Sequence, residues 1–185
     1  MNNTLLKTLF LAAVLALTSQ AQAAGVGTNI SVRLVGSAVG YDGTGLWDVY
    51  GLPQPSEAPA CFDLDLVDVK TGAVIGGATD CLTDINPSGD GLALTGTTFF
   101  FLPGGTLISR GLTTVQPVTH GSLDFTHITG AIPQAGDNSI IYGDGKFRKS
   151  AAPVRLSGAV NLSKLGSDGE ITFDCMFAIN LARPK

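Results

Sequence analysis

The sequence predicts an all-β fold: a single antiparallel barrel of about eight strands. Three observations carry the expectation. The 185-residue chain holds 24 Gly and 9 Pro, which punctuate short segments rich in β-branched and aromatic residues. Turn signals recur roughly every 8–12 residues, as in sandwiches and barrels. No long 3.6-period amphipathic segment follows the first 24 residues. Closure into a barrel removes the exposed strand edges that invite aggregation.

Residues 1–24 read as an export signal. Lys7 precedes an unbroken apolar run, Leu9 to Leu17, and Ala21-Gln22-Ala23 supplies an A-x-A cleavage pattern. The run is shorter than the about 20 apolar residues a spanning helix needs, so no membrane insertion is expected once the signal is removed. No Cys stands directly after the cleavage site, so there is no lipoprotein signal. Residues 25–185 then form one domain, secreted or periplasmic. The formal charge of −4 becomes more negative when Lys7 is removed, which disfavours nucleic acid as a partner.

Asn29–Val35 is the first strand, with Ile30, Val32 and Leu34 on one face. A long loop, residues 36–60, comes next and holds Trp47, Tyr41 and Tyr50. Two readings stand: a surface loop pinned to the barrel by Trp47, or a lid over a cavity mouth. Cys61 to Cys81 is a hairpin turning at Lys70-Thr71-Gly72. That turn places Cys61 opposite Cys81, where a disulfide can form. Gly76-Gly77 could hold a bulge that shifts the pairing. Asp84–Asp90 is a loop.

Leu92–Thr114 is the central hairpin. A three-residue turn, Pro103-Gly104-Gly105, puts Phe100 opposite Ile108 and Phe101 opposite Leu107. Both faces of Phe99–Phe101 are apolar, so the sheet is covered on both sides. Val115–Thr126 is a transition with weak strand character. His127–Ile132 and Ile140–Lys149 contain short strands. Val154–Leu162 alternates cleanly, and Ile171–Leu181 closes the domain with Ile171, Phe173, Cys175, Phe177, Ile179 and Leu181 on one face.

From Val74 to Leu181 this order resembles the allene oxide cyclase and dirigent group of eight-stranded barrels. VIGGATDCLTDI (Val74–Ile85) resembles the strand where the plant cyclases carry a Cys before a loop. GTTFFFLPGGTLISRGL (Gly96–Leu112) resembles their central hairpin, and HITGAIP with YGDGKFRKSAAPVRLSGAV their later core. Gly143, Gly145 and Phe147 match the dirigent G-x-G-x-F turn; Ser150 and Ala152 depart from the Ala and Gly usual after that turn. The resemblance implies an apolar lumen, a homotrimer, no cofactor and no metal. It implies ring closure or coupling of a hydrophobic substrate held in one conformation. Cys81 is the only residue it carries over, as the counterpart of the cyclases' lumen Cys. The Glu and Asn of the cyclases' first strand have no counterpart in Ile30–Ser37.

The candidate catalytic residues are therefore Asp63, Asp65 and Cys81. They share one face in the expected register. Lining the lumen, the two Asp could share a proton; facing water, they are solvent charges, the favoured reading because Phe62, Leu64 and Leu66 make the other face apolar. Trp47, Tyr50, Phe99 and Phe101 are the candidate ligand contacts. His120, Asp124 and His127 lack zinc-motif spacing. Gly143-Asp144-Gly145-Lys146 is no phosphate loop, since Phe147 comes after the Lys and no helix pattern succeeds it. No G-x-S-x-G elbow occurs. Cys175, between Phe173 and Phe177, reads as a buried, inert thiol. The expected function is binding of a hydrophobic small molecule in the lumen. The alternatives are a cofactor-free cyclase or isomerase, and a filled barrel with a structural role.

Overall fold

A computed structural model describes residues 28–119, 122–124, 126–133 and 138–181. The expected export signal, residues 1–24, lies outside them, as does His120. The elements are β1 (Thr28–Ala38), β2 (Tyr41–Asp42), α1 (Gly45–Tyr50), β3 (Ala60–Asp68), β4 (Val74–Ser88), β5 (Gly91–Leu102), β6 (Gly105–Pro117), β7 (Thr126–Ile132), β8 (Ile140–Gly143), β9 (Val154–Asn161) and β10 (Ile171–Leu181), with a 3₁₀ turn at Gly145–Phe147. Eight antiparallel strands close a barrel in the order β1-β10-β9-β7-β6-β5-β4-β3, and β3 pairs back onto β1 through Val32–Val35 and Asp65–Asp68. The two short strands lie outside this ring, β2 beside β3 and β8 beside β6.

Alternation decides which residues fill the barrel. Along β10 the burial pattern switches at every residue, with Ile171, Phe173, Cys175, Phe177, Ile179 and Leu181 inside. Phe62 packs on Phe173 and Phe100 on Phe177, with ring centroids 5.2 and 5.1 Å apart. These aromatic pairs fill the interior together with Leu34, Leu66, Leu94 and Leu107, all fully buried. Phe147 of the G-x-G-x-F turn is also buried in this core.

Four expectations need correction. The central hairpin turns in two residues, not three: Leu102 pairs with Gly105, Phe100 with Leu107 and Phe101 with Thr106. Pro103 sits first in the turn and Gly104 second with φ +97°, the pairing a type II turn favours. Asp84–Asp90 is mostly strand. β4 bulges between Thr83 and Asn86, with Asp84 at φ 51°, then pairs on to Ser88 against Gly91. Pro87 is tolerated because β3 ends its pairing at Leu82, leaving that side of β4 an edge. Residues 36–60 are not structureless, since they contain β2 and α1. Finally, β6 continues to Pro117 through the segment expected to be a transition. The β3–β4 register is as expected from Cys61–Cys81 to Leu66–Gly76, and slips only beyond, at the Val67–Val74 pair.

Candidate functional site: a buried carboxyl and an open mouth

Among the described residues, Asp80 is the one acidic or basic side chain buried in the barrel interior. It lies on β4 between Ala78 and Leu82, facing inward, and is 5% exposed. Register builds its surroundings. Phe62 of β3, Asp80, Thr98 of β5 and Ser109 of β6 are successive cross-strand partners, one row across four strands. The Thr98 hydroxyl donates to Asp80 Oδ1 at 2.7 Å. Ser109 and Thr113 are also buried, and these four polar side chains line one cavity with Leu82, Ile128, Leu156 and Phe177. The cavity measures about 10 Å³, close to the roughly 10–15 Å³ that a single water needs.

Burial penalises the charged carboxylate and pushes the Asp80 pKa up to about 6, against the opposing bond from Thr98. Cys175 is free and buried. Burial first, then the nearby Asp80 charge, pushes its thiol well above the ordinary range, so it is held protonated and is a poor nucleophile. Asp80 was legible in principle: the register that pairs Cys61 with Cys81 places Asp80 opposite Phe62, on the core face.

The sequence candidates lie elsewhere. Asp63 and Asp65 are exposed on the outer face, where Asp63 accepts hydrogen bonds from the Tyr41 hydroxyl at 3.0 Å and Thr79 at 2.6 Å. Cys81 shares that outer face and is joined to Cys61 in a disulfide, so it presents no lumen thiol. Such a cross-link belongs to oxidising compartments. No helix among the described residues is long and apolar enough to cross a membrane.

Trp47, Tyr50 and Phe99 do come together, on the outside of the barrel. Trp47 meets Phe99 edge-on at 5.4 Å, and Tyr50 contacts Phe99 and Tyr142 at 5.6 and 5.2 Å. With Ile108 they form an apolar layer that covers the disulfide. Phe101 lies two residues beyond Phe99 on that face, and is exposed. Of the two loop readings, the geometry is that of a segment pinned by Trp47. Trp47 Nε1 and Thr97 Oγ1 are buried side-chain atoms without a hydrogen-bond partner among the described residues, so this cover is held by apolar contact. Gly43 lets the chain pass: a Cβ there would overlap the Cys61 sulfur. Replacing Gly43 by Ala is expected to lift α1 and shift Trp47 emission to the red. An unchanged emission spectrum would show that the segment accommodates the methyl without moving.

One end of the barrel carries a recessed mouth. A concavity of about 340 Å³ lies between the start of β3 and the turn joining β9 to β10. Tyr41, Asp42, Ala58, Lys164, Leu165 and Asp168 are among the residues that line it, and the almost fully buried Phe62 and Ile171 border it. A second groove, of about 680 Å³, runs along the outer face beside Arg110 and Leu112. Near the β7–β9 ladder, His127 contacts Ser157 Oγ at 3.3 Å. Among the described residues no three His, Cys, Asp or Glu side chains are grouped to hold a metal ion. No protein-family model matches the chain, and no curated protein matches it.

Proposed function

We propose that the protein is an exported barrel that binds a small hydrophobic molecule at its mouth. The observation that carries this reading is the concavity of about 340 Å³ whose lining includes Tyr41, Ala58, Pro59 and Leu165. It falls within the roughly 300–1,000 Å³ typical of ligand pockets, and barrel mouths are a preferred place for them. The interior below is filled by the Phe62–Phe173 and Phe100–Phe177 pairs. A ligand deep in the lumen would have to displace those rings. Binding at the mouth displaces nothing. Nucleic acid is disfavoured by the net negative charge. Export rests on the signal pattern of residues 1–24 and on the disulfide.

A second reading, a cofactor-free cyclase or isomerase, draws on Asp80. A carboxyl near pKa 6 beside Thr98 and Ser109 is chemically suited to proton transfer. Its cavity of about 10 Å³ admits no organic substrate without a large opening of the barrel, so binding is the better supported function.

The test is ligand capture. Native mass spectrometry of protein taken from its own host should find a bound hydrophobic molecule. Ala58→Trp, which fills the mouth from an exposed position, should weaken uptake of that molecule by about tenfold or more, because a filled pocket leaves no apolar surface to bury. Undiminished uptake in Ala58→Trp would remove the mouth as the site. Turnover of an epoxide or polyene that disappears in Asp80→Asn would establish the second reading instead.

A further inference from the structure

The charges around the mouth indicate the class of molecule it takes. Two connections build the mouth, residues 39–59 and 162–170, and both are described throughout. They carry Asp42, Asp48, Glu57, Asp168 and Glu170, all exposed, against a single cation, Lys164. Asp42, Asp168 and Lys164 line the concavity itself. This imbalance is local and does not simply repeat the net charge of the chain. The turns at the opposite end of the barrel hold Lys70, Lys146, Arg148 and Lys149. A recess bordered mainly by one sign of charge concentrates ligands of the other sign.

Two neighbours fix groups at the rim. The Thr44 hydroxyl and its backbone N–H both donate to Asp42 Oδ1 and hold that carboxyl below the ordinary range, so it stays charged at neutral pH. Tyr41 lines the mouth, is 41% exposed, and donates its hydroxyl to Asp63 at 3.0 Å, which ties the ring in place. An exposed aromatic ring beside carboxylates suits a cation, because the negative face of the ring and the carboxylates attract the same charge. Ala58, Pro59 and Leu165 offer apolar surface for the rest of the molecule.

We propose that the mouth takes a hydrophobic molecule with a cationic head, a lipophilic amine or quaternary ammonium compound, and disfavours fatty-acid-like anions of the same length. This rests on the reading of the mouth as the ligand site and adds the charge of the ligand. The carboxylates are exposed, so the preference is sensitive to salt.

Isothermal titration calorimetry on the mature chain at pH 7 and low salt tests the proposal with three probes of matched length: decyltrimethylammonium, decanol and decanoate. The ammonium should bind tightest and decanoate weakest, with dissociation constants about tenfold or more apart. Salt at about 1 M should close most of that gap, because the screening length is then about 3 Å. Asp168→Asn combined with Glu170→Gln, both at exposed positions, should narrow the gap, and Lys164→Met should widen it. Ala58→Trp should weaken all three probes. Equal binding of the three, tightest binding of decanoate, or a gap that neither salt nor the double variant narrows overturns the charge preference and leaves the mouth as a ligand site. Binding of none of the three, or binding that Ala58→Trp leaves undiminished, removes the mouth as the site and the charge preference with it.

Discussion

Asp80→Asn should make the protein more stable at neutral pH, by up to about 3 kcal/mol, and should flatten its stability between about pH 4 and pH 6. The magnitude comes from the carboxyl's displacement from 3.8 to about 6, at about 1.4 kcal/mol for each pH unit. The sign comes from proton counting. Between those values the folded protein holds a proton on Asp80 that the unfolded chain has released. Stability therefore falls as pH rises through the window. Below about pH 4 the carboxyl is neutral in both states and the burial penalty is absent. Above about pH 6 the folded protein holds a charge in the barrel interior and carries the full penalty. Asn never ionises, and its amide oxygen can still accept from Thr98. Its NH₂ needs acceptors, which Ser109 and Thr113 border the cavity to supply; an imperfect fit there reduces the gain. Urea unfolding of both proteins at pH 4, 5 and 7 measures the difference directly. The other carboxylates titrate alike in the two proteins and cancel. A variant less stable than wild type at every pH would mean that Asp80 is held by bonds stronger than the one from Thr98, and that its charge is not a burden.

A buried carboxyl that costs stability at neutral pH invites a functional explanation. The other interior polar groups beside it, Thr98, Ser109 and Thr113, are neutral hydroxyls, so Asp80 alone carries an ionisation penalty there. Asp80 is thus the interior position where the chain carries a charge that folding does not require. Its role is decided by ligand binding in the Asn variant. A stabilised variant that binds the native ligand unchanged leaves Asp80 to the catalytic reading, and one that loses binding ties it to the ligand.

The strands whose pattern is strict were legible from the chain. β10 alternates without interruption, and the middle of β1 and the start of β9 do so over four residues or more, so period and face are both stated by the residues themselves. The Cys61–Cys81 pairing was legible because a turn and two cysteines agreed on one register. The central hairpin misled by one residue, because Pro103-Gly104-Gly105 suits a two-residue or a three-residue turn equally well. One residue matters: it moves the partner of Phe101 from Leu107 to Thr106. α1 is six residues long, too short for a helical period to show, and it forms because Trp47 has an apolar layer to enter. The bulge at Asp84 turned a strand into an apparent loop, since Asp, Asn, Pro, Ser and Gly crowd that stretch. The outer position of Asp63 and Asp65 was the favoured reading of the sequence, because Phe62, Leu64 and Leu66 make the other face apolar; only the lumen position implied for Cys81 by the resemblance fails. Asp63, Asp65 and Cys81 were grouped correctly on one face, and that face is the outer one. The same parity puts Asp80 inside.

Removing the Cys61–Cys81 cross-link should cost about 3 kcal/mol and lower the melting temperature by roughly 6–12 °C. The bond spans a sequence separation of 20. Closing a loop of that length restricts the unfolded chain by about 3 kcal/mol in the chain-entropy account, and each kcal/mol corresponds to about 2–4 °C for a domain of this size. The double variant Cys61→Ala/Cys81→Ala tests this without leaving a reactive thiol pair. Both sulfurs are fully buried beneath Trp47, so the variant also leaves a small void, and the reduced wild type isolates the bond itself. Strand content should be unchanged, because β3 and β4 pair through eight residue positions. The local consequence should be larger than the global one. Cys61 pairs with Tyr41, and Asp42 with Ala60; Tyr41, Asp42 and Ala60 all line the mouth. Without the cross-link, the β2 side of the mouth is held by the two-residue β2 pairing, the Tyr41–Asp63 hydrogen bond and the apolar seat of α1. Ligand affinity at the mouth should therefore fall in the double Ala variant even at temperatures where the barrel is fully folded. A variant with lowered melting temperature but unchanged affinity would separate the disulfide from the mouth and leave it a purely global brace. If affinity falls together with a red shift of Trp47 emission, the disulfide, the Trp47 cover and the ligand site act as one unit, which works as built only where the cysteines are oxidised.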